Sequence, residues 1–223
     1  MKNIIPTLLL ISCFPLPAPA QTTEELFASM PKSIALIWTN MNREELIDQY
    51  KAGSTAVVKN RLSASCFLTR MTDNYLQITE GKSSTEIIIL PMANDSKVIC
   101  LIYTFCAPVC DSRFEFYTVE WKKLNSDTFI TPAGKVRFFK DGIDPDEQYA
   151  LVPLDFSLMQ FQYNPDNLEL MQYYNTPQYL SEEDKEKAMP ALKNTPVVFK
   201  WNRTRFEEQT HSKYIHPPVP PSP

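Results

Sequence analysis

Between Ser54 and Trp121 the chain passes through five or six short β-rich segments separated by only a few turn residues, and this spacing limits the fold more than any other feature. The turn clusters are Thr72-Asp73-Asn74, Glu80-Gly81-Lys82-Ser83 and Ala93-Asn94-Asp95-Ser96, all residue types that favour tight reversals. A parallel crossover needs a dozen or more residues, so connections this short join antiparallel neighbours. The segment therefore predicts an antiparallel meander. Residues 87–90 and 98–105 are apolar on both faces, the pattern of central strands covered on both sides.

Helical periodicity flanks this core. Thr22-Thr23-Glu24-Glu25 has capping-box spacing ahead of Leu26, Phe27 and Met30, and Pro31 closes a short first helix. Residues 34–38 form an apolar run that reads as a docked turn or a continuing helix. Asn42 with Glu45 predicts the cap of a second helix, whose Leu46, Ile47 and Tyr50 share a face and which ends at Gly53. Residues 122–157 are less regular. A second β-rich unit follows, with residues 158–163 and 168–174 around a hairpin at Asn164-Pro165-Asp166-Asn167. A helix from Ser181 to before Pro190 and a strand over 197–201 complete it. The fold class is α+β: an antiparallel β-sheet meander with N-terminal helices packed on it and a smaller C-terminal hairpin/helix/strand unit. One domain is expected over residues 21–206, with sub-units 21–122 and 150–206, and the Pro-rich tail 207–223 is expected to be disordered.

The first 20 residues read as a secretory signal. Lys2 is followed by an apolar stretch over residues 4–14, and Ala18-Pro19-Ala20 fits the small-x-small cleavage pattern. The stretch is shorter than the roughly 20 apolar residues needed to cross a bilayer, and no later segment is long enough, so no transmembrane helix is expected. Cleavage near Ala20 predicts a periplasmic or extracellular protein. Leu10-Ile11-Ser12-Cys13 offers an alternative, a lipobox that would anchor the chain to the outer membrane through a lipid on Cys13.

Export bears on the cysteines, because an oxidising compartment favours disulfides. Past the signal stand Cys66, Cys100, Cys106 and Cys110. Cys106 and Cys110 predict a structural disulfide closing a tight strand-to-strand corner. For Cys66 and Cys100 two readings are open: a second disulfide across neighbouring strands, or two small buried thiols. Redox catalysis fits poorly, since thioredoxin-like sites space the thiols C-x-x-C at a helix start. A zinc site would need a second close ligand pair. Asp111, Ser112 and Arg113 read as a turn-setting cluster, with Asp111 or Ser112 bonding backbone N–H groups and Arg113 pairing with Asp111 or a neighbouring strand.

Composition narrows the function classes. A net charge of −4 argues against nucleic-acid partners, whose phosphates demand a basic surface. Glycine occurs only at positions 53, 81, 134 and 142, with no closely spaced pair to cradle a phosphate. The two histidines, His211 and His216, both stand in the tail, a poor support for Ser-His-Asp or Cys-His chemistry. Carboxylate-only catalysis survives this filter. Asp141, Asp144, Asp146 and Glu147 do not follow the order of an EF-hand and read as a solvated acidic loop. Tyr173, Tyr174 and Tyr179 read as core aromatics before stacking platforms. No cofactor or metal is expected. What remains is an exported, non-enzymatic binding or accessory module with a protein or envelope partner. The alternatives are a carboxylate-dependent hydrolase acting on glycan or peptidoglycan, and a structural envelope component.

One resemblance adds to this. The run Cys106-Ala107-Pro108-Val109-Cys110-Asp111-Ser112-Arg113, with the aromatic residues 114–117 behind it, is similar to a family of exported Bacteroidales proteins, the domain of unknown function DUF3256. Residues 25–31, 43–50, 72–76 and 179–184 agree, so the resemblance runs from about residue 22 to about residue 206. It implies an exported envelope protein of undefined activity and supplies no catalytic residue.

Overall fold

Glu25 N–H donates to the Thr22 hydroxyl while Thr22 N–H donates to the Glu25 carboxylate, and this reciprocal capping box starts helix α1 (Thr23–Ser29). The computed structural model describes residues 21–154 and 156–209. The signal segment, Cys13, the Ala20 cleavage site and the tail from residue 210 onward, with His211 and His216, lie outside the described residues. Helix α2 (Asn40–Lys51) starts three residues before the expected position. Its cap is Thr39, and Asn42 completes the box from the third helical position: Asn42 N–H donates to Thr39 Oγ1 and Thr39 N–H to Asn42 Oδ1, both at 3.0 Å. Gly53 takes a positive φ of 71° just past its end, the left-handed conformation that glycine adopts without penalty.

The meander has seven strands where five or six were expected. They are β1 (Val57–Lys59), β2 (Ser65–Met71), β3 (Tyr75–Glu80), β4 (Ser83–Pro91), β5 (Lys97–Cys106), β6 (Cys110–Thr118) and β7 (Lys123–Leu124). Every strand pairs antiparallel with its sequence neighbour, in the order β1 to β7. The short turns permit no other connection.

Alternation divides the buried residues of this sheet between two cores. Ile87, Ile89, Ile99 and Leu101 face the helices, beside Leu26, Phe27, Leu46 and Trp38. Ile88, Leu90, Val98, Cys100 and Ile102 face the other way, against Phe161, Tyr163, Leu170, Phe199 and Trp201. Successive side chains point to opposite faces, so a strand apolar throughout must be covered twice.

The second cover is another sheet. After helix α3 (Pro145–Leu151) come β8 (Met159–Asn164), β9 (Glu169–Tyr174), helix α4 (Glu182–Ala188), β10 (Val197–Trp201) and β11 (Phe206–Glu208). The four strands order as β11-β10-β9-β8. Strand β11 was not anticipated. Nor was α3, whose N-cap comes from the expected acidic loop: Asp144 Oδ1 accepts from Glu147 N–H at 2.9 Å, and Asp141 pairs with Lys193. Trp201 Nε1–H donates to the Pro91 carbonyl at 2.7 Å, tying this sheet to the far end of β4.

Candidate functional site

The β5–β6 corner carries the disulfide Cys106–Cys110, and these two residues are also cross-strand partners. The residues after it do not set the turn. Asp111 Oδ1 accepts from Met159 N–H at 2.8 Å, and Ser112 Oγ accepts from Phe161 N–H at 3.0 Å. Asn175 Nδ2 donates to the Cys110 carbonyl at 2.9 Å. The Arg113 guanidinium lies 5.0 Å from the ring centroid of Tyr103, its cross-strand partner. The cluster is an inter-sheet clamp, because consecutive strand residues reach edge strand β8 nearly 50 positions away. Sequence spacing alone holds no signal for such a contact.

Cys66 and Cys100 do not pair. Cys66 lies on β2 in the helix-side core, whereas Cys100 lies on β5 in the inter-sheet core. Two strands and the thickness of the sheet separate them. Burial pushes the Cys100 thiol well above its ordinary pKa, with the Glu86 charge adding to the rise, so it remains a small apolar side chain.

Only half of the face shared by the two sheets is apolar. Toward one end of β3, β4 and β5 the inward positions become Gln77, Ser84, Glu86 and Thr104. Strand β8 crosses above them, and a cleft of about 450 Å³ opens between. That lies within the range of small-molecule sites. Gln160, Gln162, Asn164 and Asp166 form its upper wall. At the rim Arg70 pairs with Asp166 at 3.0 Å and lies 5.5 Å from the centroid of Tyr75.

Glu86 occupies the floor with 4% of its surface exposed. The Tyr75 hydroxyl donates to Glu86 Oε2 at 2.8 Å. Its other oxygen takes no hydrogen bond from a described residue and opens on the cleft. Burial pushes the carboxyl up to about 7, against the opposing pull of the Tyr75 hydrogen bond. Tyr75 itself is pushed up, first by burial and then by the Glu86 charge. Tyr163 stacks on Tyr75 with ring centroids 6.0 Å apart. Sequence reasoning missed Glu86. The one signal was a lone carboxylate opening the apolar run Ile87-Ile88-Ile89-Leu90.

A second hollow of about 420 Å³ lies on the helix side, lined by Leu36, Trp38, Tyr103, Phe105 and Arg113. Leu36 is 65% exposed and Phe105 56%. Of the three tyrosines read as core aromatics, Tyr174 packs against a core, whereas Tyr179 stands 52% exposed. Tyr174 packs against Phe138 and Phe139, Tyr179 meets Phe156 edge-on, and Tyr173 donates to Met171 Sδ.

Comparison with known proteins adds a family. The protein of unknown function family DUF3256 matches residues 16–206. The chain belongs to this family. A solved structure of a domain of an uncharacterized protein from Porphyromonas gingivalis W83 is similar to it at 30% identity and a TM-score of 0.74, over 84% of this chain and 98% of that one. No curated protein matches the DUF3256 chain.

Proposed function

We propose that this DUF3256 chain is an exported, non-enzymatic binding module of the cell envelope that takes an uncharged polar ligand in the inter-sheet cleft. The carrying observation is the Glu86 carboxyl, buried at the cleft floor with one oxygen satisfied by Tyr75 and the other turned to the opening. Around it stand neutral amides and hydroxyls, from Gln77, Gln160, Gln162, Ser84 and Thr104. The cation at the rim is already neutralised by Asp166. A ligand bringing donors and acceptors but no net charge matches that lining, because a buried unpaired charge costs far more than a buried hydrogen-bonded dipole. Export is supported by the signal-like residues 1–20 and by the Cys106–Cys110 disulfide, a bond typical of oxidising compartments.

The test is a titration of the full chain, isotopically labelled, with capped uncharged peptides and uncharged oligosaccharides. Saturable shifts of the Gln77, Gln160 and Gln162 side-chain amides are expected, weakened at least tenfold in Glu86→Ala. Shifts confined to other surfaces, or none at millimolar ligand, would overturn the proposal.

One observation favours a second reading, the carboxylate-dependent hydrolase. A carboxyl with a pKa near 7 is poised as a general acid. Against it, the other cleft carboxylate, Asp166, has 76% of its side chain exposed and is held by Arg70. Turnover of a glycan by the wild-type chain, with a pH-rate limb near 7 and abolished in Glu86→Gln, would establish this reading instead.

A further inference from the structure

Strand geometry specifies the chemistry of one cleft wall, and it narrows the ligand to one class; this inference rests on the binding function proposed above. Residues of an antiparallel ladder alternate between those bonded to the partner strand and those turned away from it. Asn175 N–H donates to the Leu158 carbonyl at 2.8 Å, in register with the β8–β9 pairs. The even-numbered residues of β8 are therefore bonded to β9, and Met159, Phe161 and Tyr163 turn their N–H and C=O groups to the free edge. For the first two, side chains of β6 take the place of a neighbouring strand: Asp111 accepts from Met159 N–H and Ser112 from Phe161 N–H.

Past Phe161 that substitution stops and the cleft begins. The Tyr163 N–H and the carbonyls of Phe161 and Tyr163 face it, and no described residue outside the strand's own ladder bonds to them. An edge strand whose backbone groups are left open is an incomplete sheet.

We propose that the cleft takes an extended peptide, added beside β8 as a fifth strand of the second sheet. Main-chain hydrogen bonds to Tyr163 and to the Phe161 carbonyl hold it, and alternate side chains point down to the floor. Facing Ser84, Glu86, Gln77 and Thr104, those side chains are Ser, Thr, Asn or Gln, whose donors and acceptors match the polar floor. A sugar fits less well. Sugar sites present a free aromatic face, whereas Tyr75 is stacked on Tyr163 and covered by Arg70.

The experiment follows hydrogen exchange at the Tyr163 amide of the full chain, in two arms. One probe is a pool of capped heptapeptides with Ser, Thr, Asn or Gln at alternate positions; the other is a set of N-acetylglucosamine oligomers. The peptide pool is expected to slow Tyr163 exchange at least tenfold while leaving Met159 and Phe161 unchanged. A backbone ester at residue 163, which removes the N–H and keeps the side chain, is expected to weaken peptide binding at least tenfold. Strand addition is overturned if Tyr163 is already protected in the free protein, if peptides shift the cleft amides without slowing Tyr163, or if the ester variant binds as well as wild type. Binding of the oligomers alone overturns strand addition and leaves the cleft's binding function standing. Silence of the cleft with both probes overturns both proposals.

Discussion

Glu86 and Arg43 are both buried charged residues, and opposite means hold them. Arg43 is 1% exposed and forms no ion pair within hydrogen-bonding reach among the described residues, although the Glu44 charge acts on it. Instead its Nη1 donates to the Trp38 carbonyl and its Nη2 to the carbonyls of Ala28 and Met30 and to Asn40 Oδ1. One guanidinium thus gathers the end of α1, the apolar turn and the start of α2. A lysine cannot present this fork, so Arg43→Lys is expected to lose at least about 2 kcal/mol, the scale of one charged hydrogen bond left unmade in a buried site. Urea unfolding checks it, and an unchanged midpoint would show that the carbonyls find other donors. Glu86 has the Tyr75 hydroxyl and otherwise responds by holding its proton. Its folded pKa of about 7 lies above the ordinary 4.5, so between those values the folded state binds more protons than the unfolded one. Stability therefore falls as pH rises from about 4.5 to about 7 and levels off above. Glu86→Gln keeps the acceptor for Tyr75 and cannot ionise. It is expected to be more stable than wild type at pH 8 by up to about 3 kcal/mol, with the gap closing toward pH 4.5. Denaturation of both proteins at several pH values measures this, and a pH-independent gap would rule out the titration as its source.

At the scale of elements, the β5–β6 corner holds the two sheets in register. Ser112 sits 2.8 Å from Thr104 on β5 and accepts from Phe161 on β8. Ser112→Ala leaves the half-buried Phe161 N–H without this partner, at a cost of about 1 kcal/mol. Faster amide exchange at Phe161, with β5–β6 ladder amides unchanged, is the expected sign of a loosened β8; uniform acceleration would mean that the clamp is no local feature. The disulfide acts on the corner itself. Replacing both Cys106 and Cys110 by Ser frees a very short loop and is expected to cost roughly 2 kcal/mol on chain-entropy grounds, measured against reduced wild type as a control. These elements also mark how far the sequence could be read. The meander, both N-terminal helices and the β8–β9 hairpin were legible because short turns, caps and periodicity are local signals. The two-sided burial of residues 87–90 and 98–102 was legible too, since it needs only alternation, whereas the same run was expected to stay covered to Phe105, which stands 56% exposed. The clamp was not legible, because its partners stand nearly 50 residues apart. Nor were β11, at three residues, and α3, whose capping aspartate was hidden among loop acids. The cleft went unread: a lone carboxylate at the head of the apolar run 87–90 was its one local trace, and the strand above Glu86 is set by packing.

The whole molecule is one sheet covered twice, and this has a consequence for how it unfolds. Strands β4 and β5 supply both cores from alternate residues: Ile87, Ile89, Ile99 and Leu101 to the helix side, and Ile88, Leu90, Val98, Cys100 and Ile102 to the second sheet. If either cover came away, half the side chains of the central strands would meet water at about 25 cal/mol per Å² of apolar surface. The remaining cover would then rest on a sheet held from one side. The two cores should therefore melt together. The three tryptophans report on this separately, since Trp38 and Trp121 belong to the helix side and Trp201 to the inter-sheet core. In Trp201→Phe, fluorescence follows the first core; in a Trp38→Phe/Trp121→Phe variant it follows the second. Within each variant the fluorescence midpoint is expected to coincide with that of the far-ultraviolet circular dichroism, the signature of a single cooperative transition. If the Trp201 signal alone melted early, the second sheet would be a separately folding unit, and the cleft it roofs would open without unfolding the meander beneath.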